Sequence, residues 1–222
     1  MLGKLIKYEF KGTAKIFVPT YLALLLFTIV GKAFLSIKPL QEVLNGKVNG
    51  IFWFTYVLIV ISVLFLTFLI SLQRFYKNLL GDEGYLMHTL PTTATNHIWA
   101  KLLTATTWYL TSGILVVASV AVLSMNKEAW EALPELVRRL FQAINDYAGA
   151  EGYLLILEFL IAAFAQLMLN ILFFYAAMAL GQMFGRHKIL GSIVSYIGLN
   201  VIIQTVMTVM LVAVSAIDSE VM

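Results

Sequence analysis

Long apolar runs dominate this chain, and its polar positions gather in short intervals between them. A helix needs about 20 largely apolar residues to cross roughly 30 Å of hydrocarbon. Five stretches meet that length: Phe17–Ser36, Ile51–Leu72, Ile98–Ser124, Tyr153–Gly181 and Leu190–Ile217. Pro19 falls in the opening turn of the first, where a missing N–H is tolerated. The last two are longer than a perpendicular crossing needs and imply tilt or protrusion. No linker or low-complexity tract divides the chain. The pattern therefore predicts an all-α, polytopic membrane protein of about five spans, with residues 1–222 forming one transmembrane domain.

Two further segments carry helical periodicity outside the spans. Over residues 1–16, Lys4, Lys7, Lys11 and Lys15 fall in one narrow arc, while Leu2, Leu5, Ile6, Phe10 and Ile16 occupy the rest. This predicts an interfacial helix with its lysines toward anionic headgroups. Glu9 projects nearly opposite the lysines, among apolar neighbours. It is either a snorkelling carboxylate or one half of a salt bridge, for which Arg74 and Lys77, just past the second span, are the nearest bases. Within the interval 125–152, Leu133, Leu136, Val137, Leu140, Phe141 and Ile144 make an unbroken i, i+3, i+4 stripe. Pro134 suits a first helical turn. The stripe fits a helix resting on a leaflet better than a gate or lid over a pathway.

Composition removes the soluble alternative. Of 222 residues, 61% are hydrophobic and 12% charged, against about 45–50% and a quarter in soluble domains. One domain's core could not bury that excess. The chain has no cysteine, which excludes disulfides, thiolate nucleophiles and Cys-ligated metals. Its net charge of +3 is scattered and does not form a nucleic-acid stripe. The spread of lysines from Lys4 to Lys15, with no A-x-A site after the apolar run, is unlike a cleavable signal.

Charge also orients the spans. With the N-terminus inside, the inner segments hold nine bases (Lys4, Lys7, Lys11, Lys15, Arg74, Lys77, Lys101, Arg186, Lys188) and the outer segments six (Lys32, Lys38, Lys47, Lys127, Arg138, Arg139). That bias predicts a multi-pass protein of the cell membrane with a cytoplasmic N-terminus.

Catalytic motifs do not occur in the sequence. It has no G-x-x-x-x-G-K-[ST], no G-x-S-x-G and no H-E-x-x-H among His88, His97 and His187. Asp82 and Glu83 are adjacent, so on a helix they diverge and cannot face one another as an acid/base pair. The expectation is a protein that is not an enzyme and binds no cofactor or metal itself. Inside the spans, polar groups are costly and therefore informative. Glu158, Gln166 and Asn170 share one face of the fourth span with Ala162, and Asn200 and Gln204 belong to a four-residue polar repeat in the fifth. They serve either as interhelical hydrogen-bonding groups or as the lining of a substrate path.

The most distinctive interval is "RFYKNLLGDEGYLMHTLP", from Arg74 to Pro91, within a loop over 74–97. Asn78–Leu79–Leu80–Gly81 should end the second span, with Gly81 in a left-handed C′ position. Asp82 is then a good N-cap for a short helix from Glu83 to Leu90, and Pro91 ends it. Thr92 or Thr93 restarts the next helix. A helix of one or two turns is too short to be stable alone. Exposing Tyr85, Leu86 and Met87 is costly unless something docks on them.

"RFYKNLLGDEGYLMHTLPTTATNHIWAKLL" resembles the first cytoplasmic loop of the type 2 ATP-binding-cassette exporter permeases, in which a glycine- and proline-punctuated segment followed by A-K-L-L joins helices two and three. "KLIKYEFKGTAKIF" is similar to the N-terminal elbow helix of the same family. The resemblance implies that Asp82, Glu83, Gly84, Tyr85, Leu86, His88, Leu90 and Pro91 form a coupling helix that docks in a groove of a separate ATPase subunit. ATP and magnesium would bind that partner, and a second permease copy or paralogue would complete the assembly. The family usually has six spans with both ends inside, so the resemblance implies a sixth span beyond the five found here. Sparse amide and hydroxyl groups in the spans suit an amphipathic, lipid-like or peptide-like substrate better than a sugar or ion. The other class of protein that fits is a non-transporting immunity, anchoring or sensory subunit. An ion-coupled carrier would need buried acids or an inverted repeat, which a peripheral Glu158 does not supply.

Overall fold

The computed structural model describes residues 2–36, 47–81, 84–85, 89, 91–124 and 126–221, and of residues 47, 48, 150, 186, 214 and 216–221 the backbone only. Asp82, Glu83, Leu86, His88 and Leu90, predicted to line the docking helix, lie outside the described residues. Nearly everything described is helical: α1 (Leu2–Ser36), α2 (Lys47–Phe75), α3 (Ala94–Ser124), α4 (Lys127–Gly181) and α5 (Lys188–Val221). A π-helical turn, Tyr76–Leu80, follows α2, and a 3-10 turn, Gly185–His187, precedes α5. Five stretches are long and apolar enough to cross a membrane: Leu2–Ser36, Asn49–Leu80, Ala94–Ser124, Glu151–Gly181 and Lys188–Ala213. The chain is an all-α polytopic membrane protein.

The described chain divides into two compact units, Met1–Gln73 with Thr92–Met168, and Arg74–Pro91 with Leu169–Met222. In the first, Phe17, Tyr21, Leu24, Tyr56, Val63, Ile70 and Leu123 form a buried cluster drawn from α1, α2 and α3. In the second, Phe75 stacks on Tyr175 with ring centroids 3.8 Å apart, and Phe174 stacks on Tyr196 at 4.7 Å.

The N-terminal segment departs from the sequence expectation. An interfacial helix over 1–16 followed by a separate span would need a break near Phe17. Instead α1 is one helix of 35 residues, about 50 Å long at 1.5 Å per residue. Its buried positions explain this. Glu9, Thr13, Phe17, Tyr21, Leu24, Thr28 and Gly31 recur every three or four residues straight through the expected junction. One continuous face packs inward, so nothing favours a bend there. Pro19 sits inside the helix but on its exposed side.

The end of α2 also differs in mechanism, though not in place. Gly81 is extended (φ −91°, ψ −170°), not left-handed, and its N–H donates to the Tyr76 carbonyl to close the π-turn. A Cβ at Gly81 would stand 2.9 Å from the Lys77 carbonyl oxygen, so close backbone approach is what requires glycine here. Of the expected short helix, Gly84 and Tyr85 are helical. The Thr89 N–H donates to the Tyr85 carbonyl at 3.3 Å. Thr93 caps α3 as expected, its hydroxyl accepting from the Asn96 N–H at 3.4 Å.

Candidate functional site

Three helices of the first unit turn their polar side chains toward one another. On α3 the buried positions His97, Lys101, Thr104, Ser112 and Ser119 follow helical spacing and face inward. Opposite them stand Glu9, Thr13 and Tyr21 of α1, with Tyr56 and Thr67 of α2. In hydrocarbon each of these groups needs a partner within the protein. Together they form a seam of hydrogen bonds along the bundle.

The seam begins with a buried ion pair. Lys101 Nζ donates to Glu9 Oε1 at 2.6 Å, and the two side chains are 3% and 10% exposed. Thr13 Oγ1 donates to the Glu9 carbonyl and accepts from Trp108 Nε1, both at 2.8 Å. Trp108 in turn stacks on Phe17, with ring centroids 4.4 Å apart. At the foot of α3, Thr92 Oγ1 and His97 Nε2 lie 2.7 Å apart, so the first residue after Pro91 is tied to a buried imidazole.

Further along, hydroxyls bond in a fixed direction. Thr67 donates to the Val63 carbonyl, so its single proton is committed. Ser112 must then donate to Thr67 at 2.7 Å, and Tyr21 to Ser112 at 2.7 Å. The same accounting applies one step away, where Ser119 donates to the Val116 carbonyl and Tyr56 donates to Ser119 at 2.7 Å. Thr104 Oγ1 is buried without a hydrogen-bond partner among the described residues.

Sequence reasoning left Glu9 either snorkelling or paired with a base; in the structure it is buried and bonded to Lys101. Arg74 and Lys77, expected as the candidates, lie at the end of α2, half-buried and exposed respectively. Glu9 is on the face of α1 that packs against α3, which brings it to Lys101. The signal was in the sequence, because Lys101 falls inside a stretch long enough to be a span, and an ionisable group there demands a partner. Thr67, Ser112 and Ser119 were not singled out, since a lone hydroxyl every few residues does not stand out against apolar neighbours, and His97 entered only as one of three histidines without metal-site spacing.

The second candidate region is the turn after α2. Tyr85 is 78% exposed, and Gly84 before it is buried. Pro91 is exposed. The polar groups of the later spans behave differently from the seam. Glu158, Gln166, Asn170 and Gln204 are exposed, while Asn200 is half-buried with its amide donating to the Tyr196 carbonyl at 2.9 Å. Among the described residues, no three His, Asp or Glu side chains group so as to hold a metal ion. No protein-family model, curated protein or solved structure matches the chain.

Proposed function

We propose that the chain is the permease subunit of an ATP-driven exporter, coupled to a separate ATPase subunit through the turn that contains Tyr85. The observation that carries this reading is an aromatic side chain, Tyr85, 78% exposed just beyond the end of a span. An apolar ring left in water gains free energy when a partner covers it.

In this account the N-terminus and the Tyr85 turn face the cytoplasm, and ATP with magnesium binds the partner. A second permease copy or paralogue covers the exposed amides of α4 and α5. The cargo is amphipathic, lipid-like or peptide-like. The test is purification of the full chain from its native host in mild detergent. An ATPase subunit carrying a phosphate-binding loop is expected to copurify in stoichiometric amount, and its absence under conditions that keep the chain folded would overturn the reading.

A further inference from the structure

The first limb of α4, residues 127–148, is amphipathic, but its apolar side meets little of the chain. Leu136 and Leu140 are 58% and 60% exposed, and Val137 and Phe141 beside them are also exposed. Glu128, Glu131, Glu135, Arg138, Arg139 and Asp146 lie on the opposite arc. There Arg139 Nε donates to Glu135 Oε1 at 3.0 Å, an i, i+4 pair. Trp130 and Tyr147 stand on the two borders of the apolar arc, near opposite ends of the limb, and both are exposed. Aromatic rings with a polar edge prefer the boundary between headgroups and hydrocarbon.

The position of the limb fits that boundary. It begins three residues after α3 ends at Ser124, and it ends just before the span Glu151–Gly181 begins. It is therefore tethered at both ends to membrane crossings on the side away from the N-terminus. At Gly149 the backbone leaves helical geometry (φ 53°, ψ −136°), a conformation essentially restricted to glycine. Phe141 and Tyr153 consequently stack with centroids 6.3 Å apart, where an unbroken helix would separate them by about 18 Å. The break folds the limb back toward its own span. Without it, the limb would extend into water with its leucines bare.

We propose that residues 127–148 form a membrane-surface helix that sinks its Leu136–Leu140 face into the leaflet away from the N-terminus. Its occupant is the lipid surface itself. The attraction is apolar, not electrostatic: three bases (Lys127, Arg138, Arg139) against four acids (Glu128, Glu131, Glu135, Asp146) leave a net charge of −1. Such a helix binds neutral headgroups through buried apolar area, unlike the lysine-lined start of α1. The inference does not depend on the exporter reading.

The natural absence of cysteine makes the test direct. Leu136→Cys, Leu140→Cys, Glu131→Cys and Gln142→Cys are each spin-labelled in the full-length chain and reconstituted into phosphatidylcholine vesicles. Collision with oxygen, which partitions into lipid, is compared with collision with a water-soluble nickel chelate. The oxygen-to-nickel ratio is expected to be several-fold higher at 136 and 140 than at 131 and 142, and to stay so when anionic lipid is added. Equal ratios on both faces would overturn the proposal. So would apolar-face labels shielded from both reagents, which means that a protein covers the stripe, or a contrast that appears only with anionic lipid.

Discussion

The first three spans and the last two have similar greasiness and opposite habits. In α1, α2 and α3, 28%, 28% and 22% of the most apolar window is buried within the chain, against 6% for the fourth span and none for the fifth. Polar residues follow the same division. In the first group Glu9 bonds to Lys101, Tyr21 and Thr67 to Ser112, and Tyr56 to Ser119, whereas Gln166, Asn170 and Gln204 are exposed. In hydrocarbon, packing and hydrogen bonding replace the hydrophobic effect as the forces between helices. The group with a polar seam therefore coheres by itself, and the group with exposed amides is suited to meeting other helices.

The largest effect that separates the two groups is at the ion pair. Glu9→Leu or Lys101→Leu alone strands a buried charge and should destabilise the fold by about 3–5 kcal/mol. The double variant should recover most of that loss, because an apolar pair of similar size carries no desolvation cost. Detergent-induced unfolding in mixed micelles measures all three; a double variant as unstable as the sum of the singles would mean that the two residues are not coupled. Next in size, Ser112→Ala removes the hydroxyl shared by Tyr21 and Thr67. It should cost about 1–2 kcal/mol in the same assay, moderated because Tyr21 lies 3.3 Å from the Trp108 carbonyl and can donate there. Smallest is Gln204→Leu in α5. With its side chain exposed, the isolated chain should change by less than about 0.5 kcal/mol, and a larger loss would show that α5 packs internally.

How much of this was legible beforehand follows from which signals are local. Five apolar runs specify five helices because the bilayer imposes a length that composition alone reveals. The odd placement of Glu9 among apolar neighbours was legible too, although it left a snorkelling carboxylate and a salt bridge both open. Its pairing with Lys101 was not, because 92 positions separate the two residues and only the packing of α1 on α3 joins them. The straight course of α1 through Phe17 was missed for a similar reason. Lysine periodicity marks one face of residues 1–16, but the face that decided the geometry was Glu9, Thr13, Phe17 and Tyr21, which mixes polar and apolar side chains. The π-turn at Tyr76–Leu80 was hidden because glycine at a helix end signals a left-handed cap and a close backbone contact equally well.

The proposed docking of an ATPase on the Tyr85 stretch is addressed directly by one substitution. Tyr85→Ala removes an exposed ring that supports no described packing of the spans, so insertion and unfolding stability should be unchanged. If that ring is buried at the interface, its loss should weaken ATPase binding by about 1–3 kcal/mol, roughly tenfold or more in Kd. Measured with the copurified ATPase rebound to the reconstituted chain, a normally folded Tyr85→Ala protein with at least a tenfold weaker Kd is the predicted result. The same protein binding with unchanged Kd would contradict the account.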